Sequence, residues 1–188
     1  MRHLLERRTL SADAQTAEKE NTCGGWLEGF KFRLKGDDRL KEKVADKLRD
    51  QPDSLPADVV RRIPDTIRYT FCLEPIKYAS GYCDIKQQLE GHGYEMCYSR
   101  NWWTDSEYKG INTRWITAEG HRFEVQFHTP ESFHAKQDVS HAAYERLRNP
   151  LTSKHERREL HLFQQEVSSW IQVPDDATDI PDYEKEGF

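Results

Sequence analysis

Glu124, Gln126 and His128 alternate in the run Glu124-Val125-Gln126-Phe127-His128-Thr129. A strand there presents all three on one face. A carboxylate held on a strand suits Mg2+, which takes one or two carboxylates and completes its shell with waters and phosphate oxygens. Asp65, in Pro64-Asp65-Thr66-Ile67-Arg68, is the second carboxylate on offer, just ahead of another strand-like run. Lys31, Arg33, Lys35 and Lys43 gather as a basic cluster in a chain of formal net charge −5. Such a cluster suits phosphate. Tyr108, before Lys109-Gly110, offers an open ring for stacking on a base. Each feature also has a plainer reading: a solvated strand face, a turn aspartate, a helix surface, an edge aromatic. Spacing alone leaves an unranked set of phosphate and metal sites.

The remaining chemistry-bearing residues exclude more than they suggest. No Walker A loop, GxGxxG or GxSxG is present. The eight histidines form no HExxH, and the four cysteines (23, 72, 83, 97) form no CxxC, which disfavours a zinc site. An even cysteine count permits two disulfides in an oxidising compartment; scattered buried thiols read equally well. The start MRHLLERRTL is charged but lacks an apolar core and a small-residue cleavage site. That reads as a cytoplasmic protein or as a mature, trimmed form. No run approaches the roughly 18 apolar residues of a membrane span. The net charge disfavours a globally basic nucleic-acid binder. At 188 residues the chain is one domain. It is polar, 36% hydrophobic and 32% charged, but its five Trp, eight Tyr and eight Phe work against disorder.

The elements that must position these residues follow from periodicity. Residues 1–23 read as an extension with weak helical periodicity over 1–20. Trp26–Lys35 alternates and predicts a strand or extended segment, with Phe30, Phe32 and Leu34 on one face and Lys31, Arg33 and Lys35 on the other. Asp37 is a candidate N-cap for a helix over 38–50 carrying Leu40, Val44 and Leu48. Residues 51–58 read as a loop, Ile67–Cys72 as a strand, 82–91 as a helix and 94–100 as a strand. Tyr108–Thr117 and His121–Phe127 form a hairpin around Ala118-Glu119-Gly120. A three-residue loop opposes Arg114 to Glu124 and Asn112 to Gln126. One face is then polar (Asn112, Arg114, Glu124, Gln126, His128) and the other apolar (Ile111, Trp115, Phe123, Val125, Phe127). A helix follows from Pro130 to Arg148 with Phe133, Gln137, Ser140, Tyr144 and Leu147 inward. Thr152 caps a last helix with Leu160, Phe163, Val167 and Trp170 or Ile171 inward. An acidic, extended tail covers 176–188. The order gives an α+β domain with a small, largely antiparallel sheet.

At these same residues the chain resembles the RelA/SpoT-type alarmone synthetase domains. Phe32-Arg33-Leu34-Lys35-Gly36, Ile63-Pro64-Asp65-Thr66-Ile67-Arg68-Tyr69-Thr70-Phe71, Tyr108-Lys109-Gly110-Ile111-Asn112 and Phe123-Glu124-Val125-Gln126-Phe127-His128-Thr129 stand in that family's motif order. The closer likeness is to secreted nucleotide 3′-pyrophosphokinases of actinomycete type and related toxin synthetase domains. Strings like Gln126-Phe127-His128-Thr129-Pro130-Glu131-Ser132-Phe133 recur there, before a helix matched here by Ser140-His141-Ala142-Ala143-Tyr144. The resemblance spans residues 24–175. It differs from the long housekeeping synthetases in three respects. The chain is too short to add a hydrolase domain and regulatory tail. Asp65 and Arg68 stand three apart instead of five. Asn112 and His128 replace the usual His and Arg.

The resemblance implies a nucleotidyltransferase-like mixed sheet of about five strands flanked by helices. It implies transfer of the β,γ-diphosphate of ATP to the 3′-hydroxyl of a purine nucleotide, with release of AMP. Asp65 and Glu124 would be the catalytic carboxylates and would hold Mg2+. Arg33, Lys35, Lys43 and Arg68 would bind ATP. Tyr108, Lys109, Asn112, Gln126, His134 and His141 would bind the acceptor. Arg114 would pair with Glu124 instead of serving the substrate. The resemblance also implies a secreted enzyme with no membrane partner. Two alternatives stay open. One is an interbacterial toxin domain with the same chemistry, acting on adenosine nucleotides or on the 3′ end of tRNA. The other is a non-catalytic nucleotide-binding module.

Overall fold

The computed structural model describes residues 2–187. Residues 1–23, which the sequence sets apart, contribute the helix α1 (Arg2–Glu20), with Leu10, Ala14 and Ala17 buried in the core. Two of these three are alanines, so the stripe barely shows in hydropathy. Their small side chains let the helix lie close to the sheet. Polar contacts tie it down: Ser11 Oγ lies 3.2 Å from Tyr69 Oη, and Glu18 Oε1 accepts from Leu27 N at 2.7 Å.

The run Trp26–Lys35 is not one strand. β1 spans Trp26–Leu27 only. Gly29 takes φ +61°, a left-handed conformation that ends the strand, and Phe30–Phe32 coil into a 3-10 turn. Leu34 rejoins the sheet by a single bridge to Ile67. Phe32 and Leu34 are 69% and 41% exposed. α2 (Asp37–Asp50) follows, capped by Gly36 instead of Asp37, with Leu40, Val44 and Leu48 half-buried. Part of the expected loop 51–58 belongs to a short helix, α3 (Pro56–Arg62), with proline in its first turn.

β2 (Arg68–Cys72) leads to α4 (Tyr78–Gly91), which starts four residues ahead of the expected helix and buries Tyr78, Tyr82, Ile85 and Leu89. β3 (Glu95–Asn101), β4 (Ile111–Ile116) and β5 (Arg122–His128) complete the sheet core. β4 and β5 pair with Arg114 opposite Glu124 and Asn112 opposite Gln126, the register expected from the three-residue loop. α5 (Pro130–His134) opens on a capping box between Thr129 and Ser132. A π-helical turn over Ala135–Val139 separates it from α6 (His141–Arg148). The expected single helix is therefore out of phase after its first turn. Ser132, Ala135, Ser140 and Ala143 are buried, while Gln137 and Tyr144 are exposed. α7 (Lys154–Ser169) is capped by Ser153, which accepts from Glu156 N at 3.2 Å, instead of Thr152. Val167 and Ile171 are buried, but Phe163 and Trp170 are exposed. The tail is not simply extended: Ala177 and Ile180 are buried, and β6 (Tyr183–Glu184) pairs with β3.

The sheet thus has six strands in the order β1-β2-β5-β4-β3-β6. Only β2 and β5 run parallel. Its apolar face packs Tyr69, Phe71, Phe123 and Phe127 against α1 and α4. Tyr78 Oη donates to the Phe127 carbonyl at 2.8 Å, and the Tyr82 ring meets Phe127 edge-on. The opposite, polar face is left to the site. All four cysteines are free thiols, with Cys72 and Cys97 buried. Among the described residues no helix is long and apolar enough to cross a membrane.

Candidate active site

The parallel register of β2 and β5 sets Arg68 beside Glu124 and Thr70 beside Gln126; β4 continues these rows with Arg114 and Asn112. Arg68 joins the two carboxylates. Its Nε lies 3.3 Å from Glu124 Oε1 and its terminal nitrogen 3.8 Å from Asp65 Oδ2. Asp65 sits in the turn Pro64–Thr66 with φ −92° and ψ 21°. That bridge-region conformation interrupts strand alternation and returns its carboxylate to the Arg68 side. Lys35 and Lys43 each donate to Asp65 at 2.7 Å, one to each oxygen. Burial pushes the Asp65 carboxyl up, but these hydrogen bonds and charges outweigh it and hold the group at about 2. Burial works against the Arg68 charge, yet Glu124 and Asp65 together hold its pKa above the ordinary arginine value.

Along β5 the contacts continue as a chain. Gln126 donates its amide nitrogen to Glu124 Oε1, and its amide oxygen accepts from Lys136. Lys136 Nζ lies 3.5 Å from His128 Nε2, which is also 3.0 Å from Tyr108 Oη. Tyr108 Oη donates to Asn112 Oδ1 at 2.8 Å. His128 Nδ1 contacts Ser132 Oγ at 2.9 Å. The imidazole is fully buried, and that burial, with the nearby Lys136 charge, pushes its pKa well below the usual histidine value. It stays neutral at pH 7. Lys136 is pulled down to about 7, first by burial and then by Arg68, with Glu124 opposing.

Most of these groups open onto a cleft of about 1520 Å³ between the polar sheet face and the helices α2, α6 and α7, while Glu124 and His128 lie just behind its wall, in contact with Arg68, Gln126 and Lys136. Lys35, Lys43, Asp65, Arg68, Tyr108, Lys109, Asn112, Gln126 and His141 all line it. Arg33 does not. Arg33 closes the 3-10 turn in a helical conformation and so parts from Lys35: its guanidinium lies over the Phe30 ring at 4.4 Å, and its Nε donates to Ser11 Oγ at 3.1 Å. Lys109 lines the cleft, but its ammonium donates to the Trp103 and Asp105 carbonyls, at 2.9 and 2.6 Å. That contact ties down the loop between β3 and β4. His134 lies off the cleft in an exposed contact with Asp138 at 2.8 Å. Arg114 does not pair with Glu124; its guanidinium stacks on Tyr98 at 4.4 Å. Lys136 and Ser132 were not singled out from the sequence. Both lie on one helix face, four residues apart, and a charged side chain on that face carries no hydropathy signal that it is buried.

Among the described residues no three His, Cys, Asp or Glu side chains gather as a metal cage. Mg2+ held with nucleotide phosphates does not require one, because phosphate oxygens and water complete its octahedron. Asp65 and Glu124, linked through one guanidinium, are the carboxylates that could hold such an ion. The cations now paired with them are of the kind that phosphate oxygens attract.

No protein-family model matches the chain, and no curated protein does. Solved structures do match its fold. The small alarmone synthetase 1 from Bacillus subtilis, bound to its product pppGpp, is 14% identical over 90% of this chain and 88% of its own, with a TM-score of 0.54. A GTP pyrophosphokinase family protein from Streptococcus pneumoniae is 14% identical over 86% of this chain and 80% of its own, at 0.52. The small alarmone synthetase 2 from Bacillus subtilis is 13% identical over 88% and 85%, at 0.51. At such identities the likeness is one of architecture: the chain has the fold of the RelA/SpoT-type alarmone synthetases.

Proposed function

We propose that this protein is an ATP-dependent nucleotide 3′-pyrophosphokinase. The 3′-oxygen of a purine nucleotide attacks the β-phosphorus of ATP. The bond from that phosphorus to the α,β-bridging oxygen breaks, AMP leaves, and the diphosphate stays on the 3′-oxygen. Glu124 takes the hydroxyl proton. The observation that carries this reading is the Asp65–Arg68–Glu124 bridge, with Asp65, Arg68, Lys35 and Lys43 on the wall of one cleft and Glu124 held behind Arg68. Phosphoryl transfer needs charge neutralisation and in-line placement more than covalent help. Lys35, Lys43 and Arg68 neutralise the donor phosphates. Tyr108, Asn112 and Gln126 orient the acceptor from the opposite side of Glu124. Mg2+ on Asp65 and Glu124 supplies further neutralisation at the phosphates when bound. The reading includes export from the producing cell, by resemblance to secreted synthetases; it needs no disulfide, since all four thiols are free.

The test is incubation with Mg2+, γ-labelled ATP and, separately, AMP, ADP, GDP and GTP. The expected result is a labelled 3′-diphosphate with AMP released in equal amount. Glu124→Gln should lower the rate by at least about 100-fold through loss of both base and charge. No labelled product with any acceptor, ATP alone included, overturns the assignment.

A further inference from the structure

Among the described residues, the charges on and beside the polar sheet face rest on an opposite charge, an aromatic ring or a carbonyl cage. Asp65 faces Lys35 and Lys43, Arg68 lies between two carboxylates, Arg114 covers a ring, and Lys109 is caged by carbonyls. Lys136 differs. Its partners are the neutral Gln126 Oε1 and His128 Nε2. Lys136 lies in the π-helical turn Ala135–Val139, and turns of this kind are frequent at functional sites. It stands four residues after Ser132, on the same helix face, so its ammonium enters the cleft wall beside His128.

We infer that Lys136 is an anion-binding residue of the cleft, whose ammonium, held between Gln126 and His128, receives a phosphate group of the bound nucleotide. This rests on the nucleotide reading above and adds to it a residue that no motif marks. The groups facing Lys136 are Glu124, Gln126 and His128 on β5, and Arg68 and Cys72 on β2. Glu124 alone among them is anionic, and Arg68 already pairs with it. An arriving phosphate therefore meets a cation with no carboxylate of its own. Burial leaves Lys136 near its titration point at neutral pH. A bound phosphate favours the charged form, so binding takes up a proton.

The experiment measures ATP binding by calorimetry at pH 8.0 in two buffers of different ionisation enthalpy. Wild type, Lys136→Arg and Lys136→Met are compared, each checked for its native circular dichroism spectrum. Arginine stays charged throughout this range. Wild type should take up a fraction of a proton per ATP bound. Lys136→Arg should bind with that uptake abolished, and Lys136→Met should bind at least about tenfold more weakly. Equal proton uptake in wild type and Lys136→Arg overturns the inference. So does unchanged affinity in Lys136→Met, or a lack of ATP binding by wild type. The pyrophosphoryl-transfer assay is run in parallel and reads the enzyme assignment separately. Proton-linked binding without transfer keeps this inference and removes that assignment; transfer with Lys136 silent does the reverse.

Discussion

Asp65 carries the clearest electrostatic signature in the molecule. Its carboxyl is held at about 2, against 3.8 for an unperturbed aspartate, by two lysines at 2.7 Å. A lowered folded-state value means that the native form binds the proton less tightly than the unfolded chain does. The stabilisation is therefore complete above about pH 4 and is lost as pH falls through 4 towards 2, worth about 2 kcal/mol in all. In metal-free buffer, Asp65→Asn should be less stable than wild type by about that amount at pH 7 in urea unfolding. The gap should narrow below pH 4; a constant gap from pH 7 to pH 3 would count against this account. The same ion pairs explain how the site holds its cations without nucleotide. In the proposed reading, phosphate oxygens would compete with this carboxylate for Lys35 and Lys43.

Among the elements, the β4–β5 hairpin is the one whose geometry the site tolerates least. Gly110 enters β4 with φ +146°, and a Cβ there would sit 2.8 Å from the Phe127 carbonyl and 2.9 Å from the His128 ring. Neither neighbour is free to yield: Phe127 is in the core, and His128 is fixed by Tyr108 and Ser132. Gly110→Ala should therefore cost about 2–3 kcal/mol of stability, from strain and overpacking together. It should also lower transfer activity, because the displaced His128 carries the contact with Tyr108. A variant within about 0.5 kcal/mol of wild type in urea unfolding would show that the approach can relax. The helix beyond β5 makes the complementary point. Its capping box starts it in the expected place, but the π-turn shifts its later phase, so Tyr144 lines the open cleft instead of the core.

For the whole molecule, the question is whether α1 belongs to the folding unit. Leu10 is 3% exposed and lies in the same cluster as Tyr69, Tyr94 and Phe123. Tyr94 Oη also donates to Asp13, and Arg33 reaches back to Ser11. Leu10→Ala should cost about 2–4 kcal/mol by the cavity it leaves. If residues 1–23 were a dispensable extension, the change would stay within about 0.5 kcal/mol. Thermal or urea unfolding of the full chain distinguishes the two. Packing of α1 on one sheet face leaves the other to the cleft, so the helix supports the site without touching it.

Much of the site could be read directly. Alternation placed Glu124, Gln126 and His128 on one face, and loop length set Asn112 opposite Gln126 and Arg114 opposite Glu124. Period-two patterning and turn length are local properties, so the amino-acid order determined them by itself. The α+β class and the Glu124-to-Gln126 segment were legible for the same reason; Asp65 joins Arg68 only through the family resemblance and the turn at Asp65, which strict alternation would not give. Tertiary structure decided the rest. Arg68 lies beside Glu124 because β2 and β5 run parallel, a pairing between strands more than fifty residues apart that no local period encodes. Arg33 and Lys35 part company because Arg33 closes the 3-10 turn with helical dihedrals, φ −60° and ψ −21°, which breaks their alternation. Lys136 enters because the helix after β5 packs back over the polar face, onto Gln126 and His128. In each case a single backbone dihedral or a distant pairing outweighed the side-chain pattern, and only the packed chain selects among such conformations.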